Sequence, residues 1–217
     1  MKVACCGEHT THSAGWKQGS PPEYPARVDA LLGAGFEVGN FGFATAVVTS
    51  IVSDMAKAGK DGKQGKARVY NETEEAAACV AFRPDVVVLG PFGKHDALGP
   101  FSTHNNYDDA PLFSPAEYTT GLRALVRWAT ETAHAKRVIL ALPIPYPYGS
   151  TDATTSRIVL PCTLELAAEL GLETIDTHAP FAGREEAFTD PDHLTDPDID
   201  LLAETVAAAV SATPARL

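Results

Sequence analysis

Apolar residues along the chain fall into two alternating patterns. Met1 to Cys6 is a short apolar run, interrupted only by Lys2, and reads as a buried strand. Tyr24 to Ala34 carries apolar residues at helical spacing, with Pro25 near its start and Gly33 near its end. Phe36 to Phe41 reads as a second strand. Thr73 to Phe82 reads as a helix, and Pro84 closes it ahead of Asp85-Val86-Val87-Val88-Leu89. That β-branched run suits a central parallel strand covered on both faces. Ser114-Pro115-Ala116-Glu117 opens a helix that can reach Ala135. Arg137 to Leu142 is a fourth strand, stopped by Pro143, Pro145 and Pro147. Pro161 to Leu170 is helical and capped by Gly171, Glu173 to Asp176 is a short fifth strand, and Asp196 to Val210 closes the chain as a helix.

Strands that alternate with helices predict an α/β fold. The expected architecture is a three-layer α/β/α sandwich with a doubly wound, mainly parallel, five-stranded sheet, formed by residues 1–217 as one domain. No internal repeat or interdomain linker breaks the pattern. Such sheets bind ligands beyond the carboxyl ends of their strands, where the strand order reverses. Four segments should therefore converge. They are Gly7 to Ser13, Asn40 to Ala46, Gly90 to Leu98, and Asp190 to His193.

Composition narrows the function. The chain has 217 residues, 45% of them hydrophobic and 21% charged, which is ordinary for a globular protein. Its net charge of −11 argues against a nucleic-acid partner, since phosphate binding needs clustered Lys and Arg. The only basic run, Lys57 to Arg68, contains Gly59, Gly62 and Gly65 and reads as a solvated loop. No stretch approaches the roughly 20 apolar residues of a membrane span. Met-Lys-Val leads directly into the first strand, so no signal peptide is expected there. Cys5, Cys6, Cys79 and Cys162 lack CxxC spacing, and a reduced cytoplasmic location fits them. Cys5 and Cys6 are expected to point to opposite faces of the first strand.

The candidate chemistry lies in the loops. Gly7-Glu8-His9-Thr10 follows the first strand, Val38-Gly39-Asn40-Phe41-Gly42 the second, and Gly93-Lys94-His95-Asp96-Ala97 the third. Asp190-Pro191-Asp192-His193-Leu194 precedes the last helix. In order and spacing these blocks resemble the SGNH (GDSL-type) esterases and acetylhydrolases, especially their carbohydrate-esterase branch, over nearly the whole chain. Leu142-Pro143-Ile144-Pro145 and Thr174 to Phe181 also resemble family segments. The resemblance implies an SGNH/flavodoxin-like fold and ester hydrolysis. The family's first block reads Gly-Asp-Ser where this chain has Gly7-Glu8-His9, so His9 takes the place of the serine nucleophile. By the same comparison His95 takes the place of the oxyanion Asn, with about one residue inserted around Gly90-Pro91-Phe92. Gly42 matches the glycine whose N–H helps hold the oxyanion, and Asp190 and His193 match the family's Asp and His.

Carried onto the family geometry, His9, His95 and His193 direct three imidazoles to one point, a first-row metal site with an open position for water. Zinc is the leading candidate, and iron, manganese, cobalt and nickel also accept imidazole sets. Asp190 would fix the tautomer of His193 from behind. Glu8 and His12 lie nearby as an extra ligand or a general base, although Glu8 and Asp96 can equally bond to nearby backbone. Four readings stay open. One is metal-dependent hydrolysis of a small ester or acylated carbohydrate. Another is a lyase or isomerase acting on a sugar or small polar carboxylate. The third is metal-free chemistry based on His9, or on a hydroxyl from Thr10, Thr11 or Ser13. The last is a binding module without turnover. A lone loop histidine is more often structural or solvated, and His104, His134 and His178 are read so; Asp192 is expected to face solvent. A small-molecule substrate, a carbohydrate among the candidates, would meet Phe92, Lys94, His104, Asn105 and Tyr146, on segments rich in aromatic and hydrogen-bonding groups.

Overall fold

The computed structural model describes residues 1–12, 23–59, 63–99, 111–146, 149–190 and 193–212. Strand β1 (Lys2–Cys6) is followed by a single helical turn, α1 (His9–His12), and by helix α2 (Tyr24–Leu32). Next come β2 (Glu37–Asn40), the two-residue β3 (Ala46–Val47), helix α3 (Ser50–Ala58) and β4 (Arg68–Val69). Helix α4 (Glu74–Phe82) precedes β5 (Val86–Leu89) and the short α5 (Lys94–Leu98). Then follow α6 (Pro115–Arg127), β6 (Arg137–Ala141), α7 (Gly149–Thr154), α8 (Leu160–Leu170) and β7 (Glu173–Ile175). A hairpin of β8 (Phe188–Asp190) and β9 (His193–Leu194) leads into α9 (Asp196–Ser211).

The main sheet has five strands in the order β2-β1-β5-β6-β7, and every pairing in it is parallel. Side chains alternate across it with the two-residue period of a strand. Val3, Cys5, Val86, Val88, Ile139 and Ala141 face α2 and α9. Ala4, Cys6, Val87, Leu89, Val138 and Leu140 face α3, α4, α6 and α8. Cys5 and Cys6 thus lie on opposite faces, as expected. Both faces are buried, so each fully buried Val or Leu stabilises the fold by about 1.5–3 kcal/mol. This is the predicted α/β arrangement, and its order reverses between β1 and β5, which places the carboxyl-end crevice at Gly7 and Gly90.

The differences from expectation are local. Helix α3 and the β3–β4 pair lie where no element was expected. The helix expected from Ser114 to Ala135 opens with a capping box between Ser114 and Glu117 and ends in a π-turn at Trp128–Thr132. The helix expected from Pro161 begins twelve residues earlier, with α7 at Gly149, and passes through a second π-turn at Thr155–Val159. Pro161 sits in the first turn of α8, where its missing amide hydrogen removes an intrahelical bond. The wide turn lies directly before it.

Candidate active site

Three elements deliver the central groups. The single turn α1, just after β1, delivers His9, and strands β8 and β9 hold Asp190 opposite His193. Asp190 Oδ1 accepts the backbone N–H of His193 at 3.0 Å and bonds its ring Nδ1 at 2.7 Å. A carboxylate only accepts, so Nδ1 of His193 carries the hydrogen and its Nε2 is left with a lone pair. His193 Nε2 lies 3.0 Å from His9 Nε2. In the neutral site, then, His9 donates its Nε2–H to His193. The result is a linear series, Asp190 to His193 to His9.

His95 stands beside this series, its ring centre 6.1 Å from that of His9, on α5. Among the described residues, no group of three or more His, Cys, Asp or Glu side chains is placed as a metal-ligand cluster. His9 and His193 are paired with each other, and His95 is their neighbour.

Gly42 lies against α1. A side-chain carbon there would fall 2.3 Å from the backbone nitrogen of His12, so only glycine allows this approach. Its N–H, expected to hold an oxyanion, donates instead to Asn40 Oδ1 at 2.9 Å. Its carbonyl accepts from His12 Nδ1 at 2.9 Å, which fixes that ring's tautomer and leaves Nε2 as its acceptor. Asn40 also donates to the Thr11 carbonyl at 2.8 Å. The β2 loop is thereby clamped to the turn that carries His9.

Glu8 is 3% exposed, and its two oxygens accept the backbone N–H groups of Lys94 and His95 at 3.1 and 3.0 Å. The acid beside His9 therefore ties β1 to α5. This replaces the expected role of proton carrier or metal ligand with the backbone-binding one. Asp96, 1% exposed, does the same one layer out, accepting Val48 N–H, Thr49 N–H and the Thr49 hydroxyl at the entry to α3. Burial pushes both acids up, Glu8 to about 8 and Asp96 to about 6. Their ordinary values are 4.5 and 3.8, so in each window the native chain holds a proton that the unfolded chain has released. Stability should therefore fall as pH rises through these windows and level off above the upper limit of each. Thermal melts from pH 4 to 9 should show a declining Tm, and the slope should flatten in Glu8→Gln and Asp96→Asn. A Tm that climbs steadily between about pH 5 and 8 would count against this assignment.

The expected substrate residues divide. The Lys94 ammonium lies 4.9 Å from the centre of the Tyr146 ring, and both side chains are buried. They share a recess of about 20 Å³ with Glu8, Thr10, Phe188 and Leu194. A space of that size holds about one water molecule. Phe92 is a correction. It packs into the main core against Tyr70, with ring centres 5.5 Å apart, and belongs to the fold rather than to the substrate wall. His178 bonds the Pro143 carbonyl through Nδ1 at 2.8 Å, in keeping with a structural role. His104, Asn105, Ser13 and Asp192 lie outside the described residues. Asn40, Phe188 and Leu194 were not singled out from the sequence. Asn40 carried the only usable signal, a side-chain amide at the end of a strand.

No family profile matches the chain. It is 25% identical over 222 residues to an acetylxylan esterase from Xylanibacter ruminicola, covering 97% of this chain and 43% of that protein. The chain thus spans under half the length of the curated relative it matches. Among solved structures, an acetylxylan esterase from Geobacillus stearothermophilus superposes with a TM-score of 0.67 at 20% identity, over 99% of this chain and 96% of that one. Catalytic mutants of the same esterase, one replacing a serine and one an aspartate by alanine, have a similar fold. A protein ascribed to the G-D-S-L lipolytic family, from Desulfitobacterium hafniense, superposes with a TM-score of 0.61 at 18% identity, covering 95% of this chain and 98% of that one. The five-stranded parallel sheet and its flanking helices are the SGNH fold of these lipolytic proteins and acetylxylan esterases.

Proposed function

We propose that this chain hydrolyses a small ester, with an acetylated carbohydrate such as acetylated xylan as the first candidate, and that imidazoles do the work of a serine. The observation that carries the reading is the hydrogen-bonded series from Asp190 through His193 to His9. In that series Nδ1 of His9 is the lone-pair nitrogen. Water attacks the ester carbonyl carbon as His9 Nδ1 takes its proton. The Nε2 hydrogen of His9 passes to His193 Nε2, and the imidazolium formed there faces the Asp190 carboxylate. His95 is the group best placed to stabilise the oxyanion. When the tetrahedral adduct collapses, the proton returns through the same series to the leaving alkoxide. No acyl-enzyme forms.

A metal-dependent form of the same hydrolysis is the second reading, favoured by the meeting of the His9 and His193 Nε2 atoms with His95 beside them. His9, His95 and His193 would hold the ion, zinc first and iron, manganese, cobalt or nickel after it, with Asp190 supporting His193. Such an ion lowers the pKa of its water and polarises a carbonyl. One experiment separates the readings: turnover of p-nitrophenyl acetate and acetylated xylose, with and without a chelator, after treatment with a fluorophosphonate. The first reading expects turnover that survives both reagents. Loss to the chelator with recovery on adding metal would favour the second. Stoichiometric labelling of a serine would return the chain to ordinary serine esterases. No turnover of any ester would leave a lyase, an isomerase or a binding protein.

A further inference from the structure

Beyond the recess at Lys94 lies a larger cavity of about 180 Å³, lined by Pro145, Tyr146, Asp152, Phe181, Arg184, Glu185 and Phe188, with Gly183 at its edge. Pro145, Tyr146 and Phe188 line both spaces, so the two are adjoining parts of one groove. The inner part is bounded by Glu8 and Thr10, the neighbours of His9, and by Leu194, the neighbour of His193. Phe188 stands on β8, two residues before Asp190, and pairs with Leu194 while Asp190 pairs with His193. One hairpin therefore fixes the groove wall and the reacting imidazole at a set separation.

We propose that this outer cavity is a subsite for one neutral, hydroxylated ring, the sugar that carries the ester. The proposal rests on the hydrolase reading above. Its volume equals about six waters at ~30 Å³ each, the scale of a single sugar ring. The half-buried Phe188 offers aromatic carbon for the C–H face of such a ring, and Tyr146 and Phe181, themselves buried, line the cavity beside it. Asp152 Oδ1 accepts the Tyr146 N–H at 3.0 Å, which holds this carboxylate at the wall. Arg184 is held as a fixed fork by the Pro180 carbonyl at 3.2 Å, Glu186 at 3.1 Å and Asp198 at 3.0 Å. Acceptors and donors thus sit at defined places beside apolar surface, which is the pattern that adjacent hydroxyls satisfy. A fatty acyl chain would strip water from Asp152, Arg184 and Glu185 and return no hydrogen bond. A phosphate or carboxylate would meet two acids for one guanidinium.

The test compares kcat/KM for acetylated xylose with that for p-nitrophenyl acetate in wild type, Asp152→Asn, Glu185→Gln and Phe188→Ala, each checked for an unchanged fold by circular dichroism. The expected result is a fall of at least tenfold in the sugar-to-aryl ratio in Asp152→Asn and Phe188→Ala, expressed mainly in KM. Glu185→Gln, a conservative exposed change, gives a smaller fall in the same ratio and covers the case in which Phe188→Ala does not fold. An unchanged ratio in every folded variant overturns the subsite. If wild type turns over neither ester, the hydrolase reading has failed, and calorimetric titration with xylobiose tests the groove by itself. Binding that Asp152→Asn weakens supports the subsite, and no binding to wild type overturns it.

Discussion

Replacing His193 with alanine should lower kcat/KM for p-nitrophenyl acetate by about 10²–10⁴-fold, the usual scale of positioned proton transfer, because His193 receives the proton relayed through His9. His193 bonds both Asp190 and His9. Without it, the proton that His9 takes stays on His9 as an imidazolium that no longer faces the His193–Asp190 pair. Asp190→Asn should cost nearly as much for a different reason. An asparagine amide can donate to His193 Nδ1, which favours the opposite tautomer and puts a hydrogen where His193 should accept one from His9. Steady-state assays with melting curves for each variant would check this. If His193→Ala keeps more than a third of wild-type activity while remaining folded, the series is not the reacting group.

The largest stability loss outside the apolar core is expected at Asp96→Ala. Its carboxylate accepts two backbone N–H groups and one hydroxyl in fully buried surroundings. Each buried donor left unmade costs about 1–3 kcal/mol. Burial already penalises the charge, as its raised pKa reports, and that penalty disappears with the side chain. The net loss should be about 2–4 kcal/mol, or roughly 5–15 °C in Tm for a domain of this size. Asp96→Asn, which retains one acceptor, should lose less. A drop under about 2 °C in the alanine variant would mean that water reaches these amides when the carboxylate leaves.

The sheet was readable because its strands are buried on both faces. Val86 to Leu89 admits only that environment, and Met1 to Cys6 nearly so. Helix α3 was not readable, since its N-cap Thr49 makes no side-chain capping bond and its entry amides are bonded by Asp96, some 47 positions away. No local signal exists for such a device. Glu8 shows the same limit. In sequence it is an acid next to His9, and only the fold shows that its oxygens face the backbone of α5. The pairing of His9 with His193, 184 positions apart, was reachable through the family likeness and through no property of either segment. Phe92 could not be told from a pocket aromatic because it sits between Gly90 and Gly93, on the loop that leads to Lys94 and His95. The outer groove draws on two segments, one around Tyr146 and Asp152 and one from Phe181 to Phe188, and their proximity is a product of topology.

The π-turn at Thr155–Val159 is, in effect, one residue more than an α-helix needs. Val159, its last residue, lies where any side chain at Gly93 would strike it, at 2.4 Å. Gly93 in turn begins the segment that carries Lys94 and His95. Loss of one residue here would close the wide turn into ordinary helix and rotate α7, with Asp152, by about 100° relative to α8. The sheet and the paired imidazoles would be untouched. Lineages of this protein could therefore re-aim one wall of the groove by a single-codon deletion, a larger step than any point substitution at Asp152 could take.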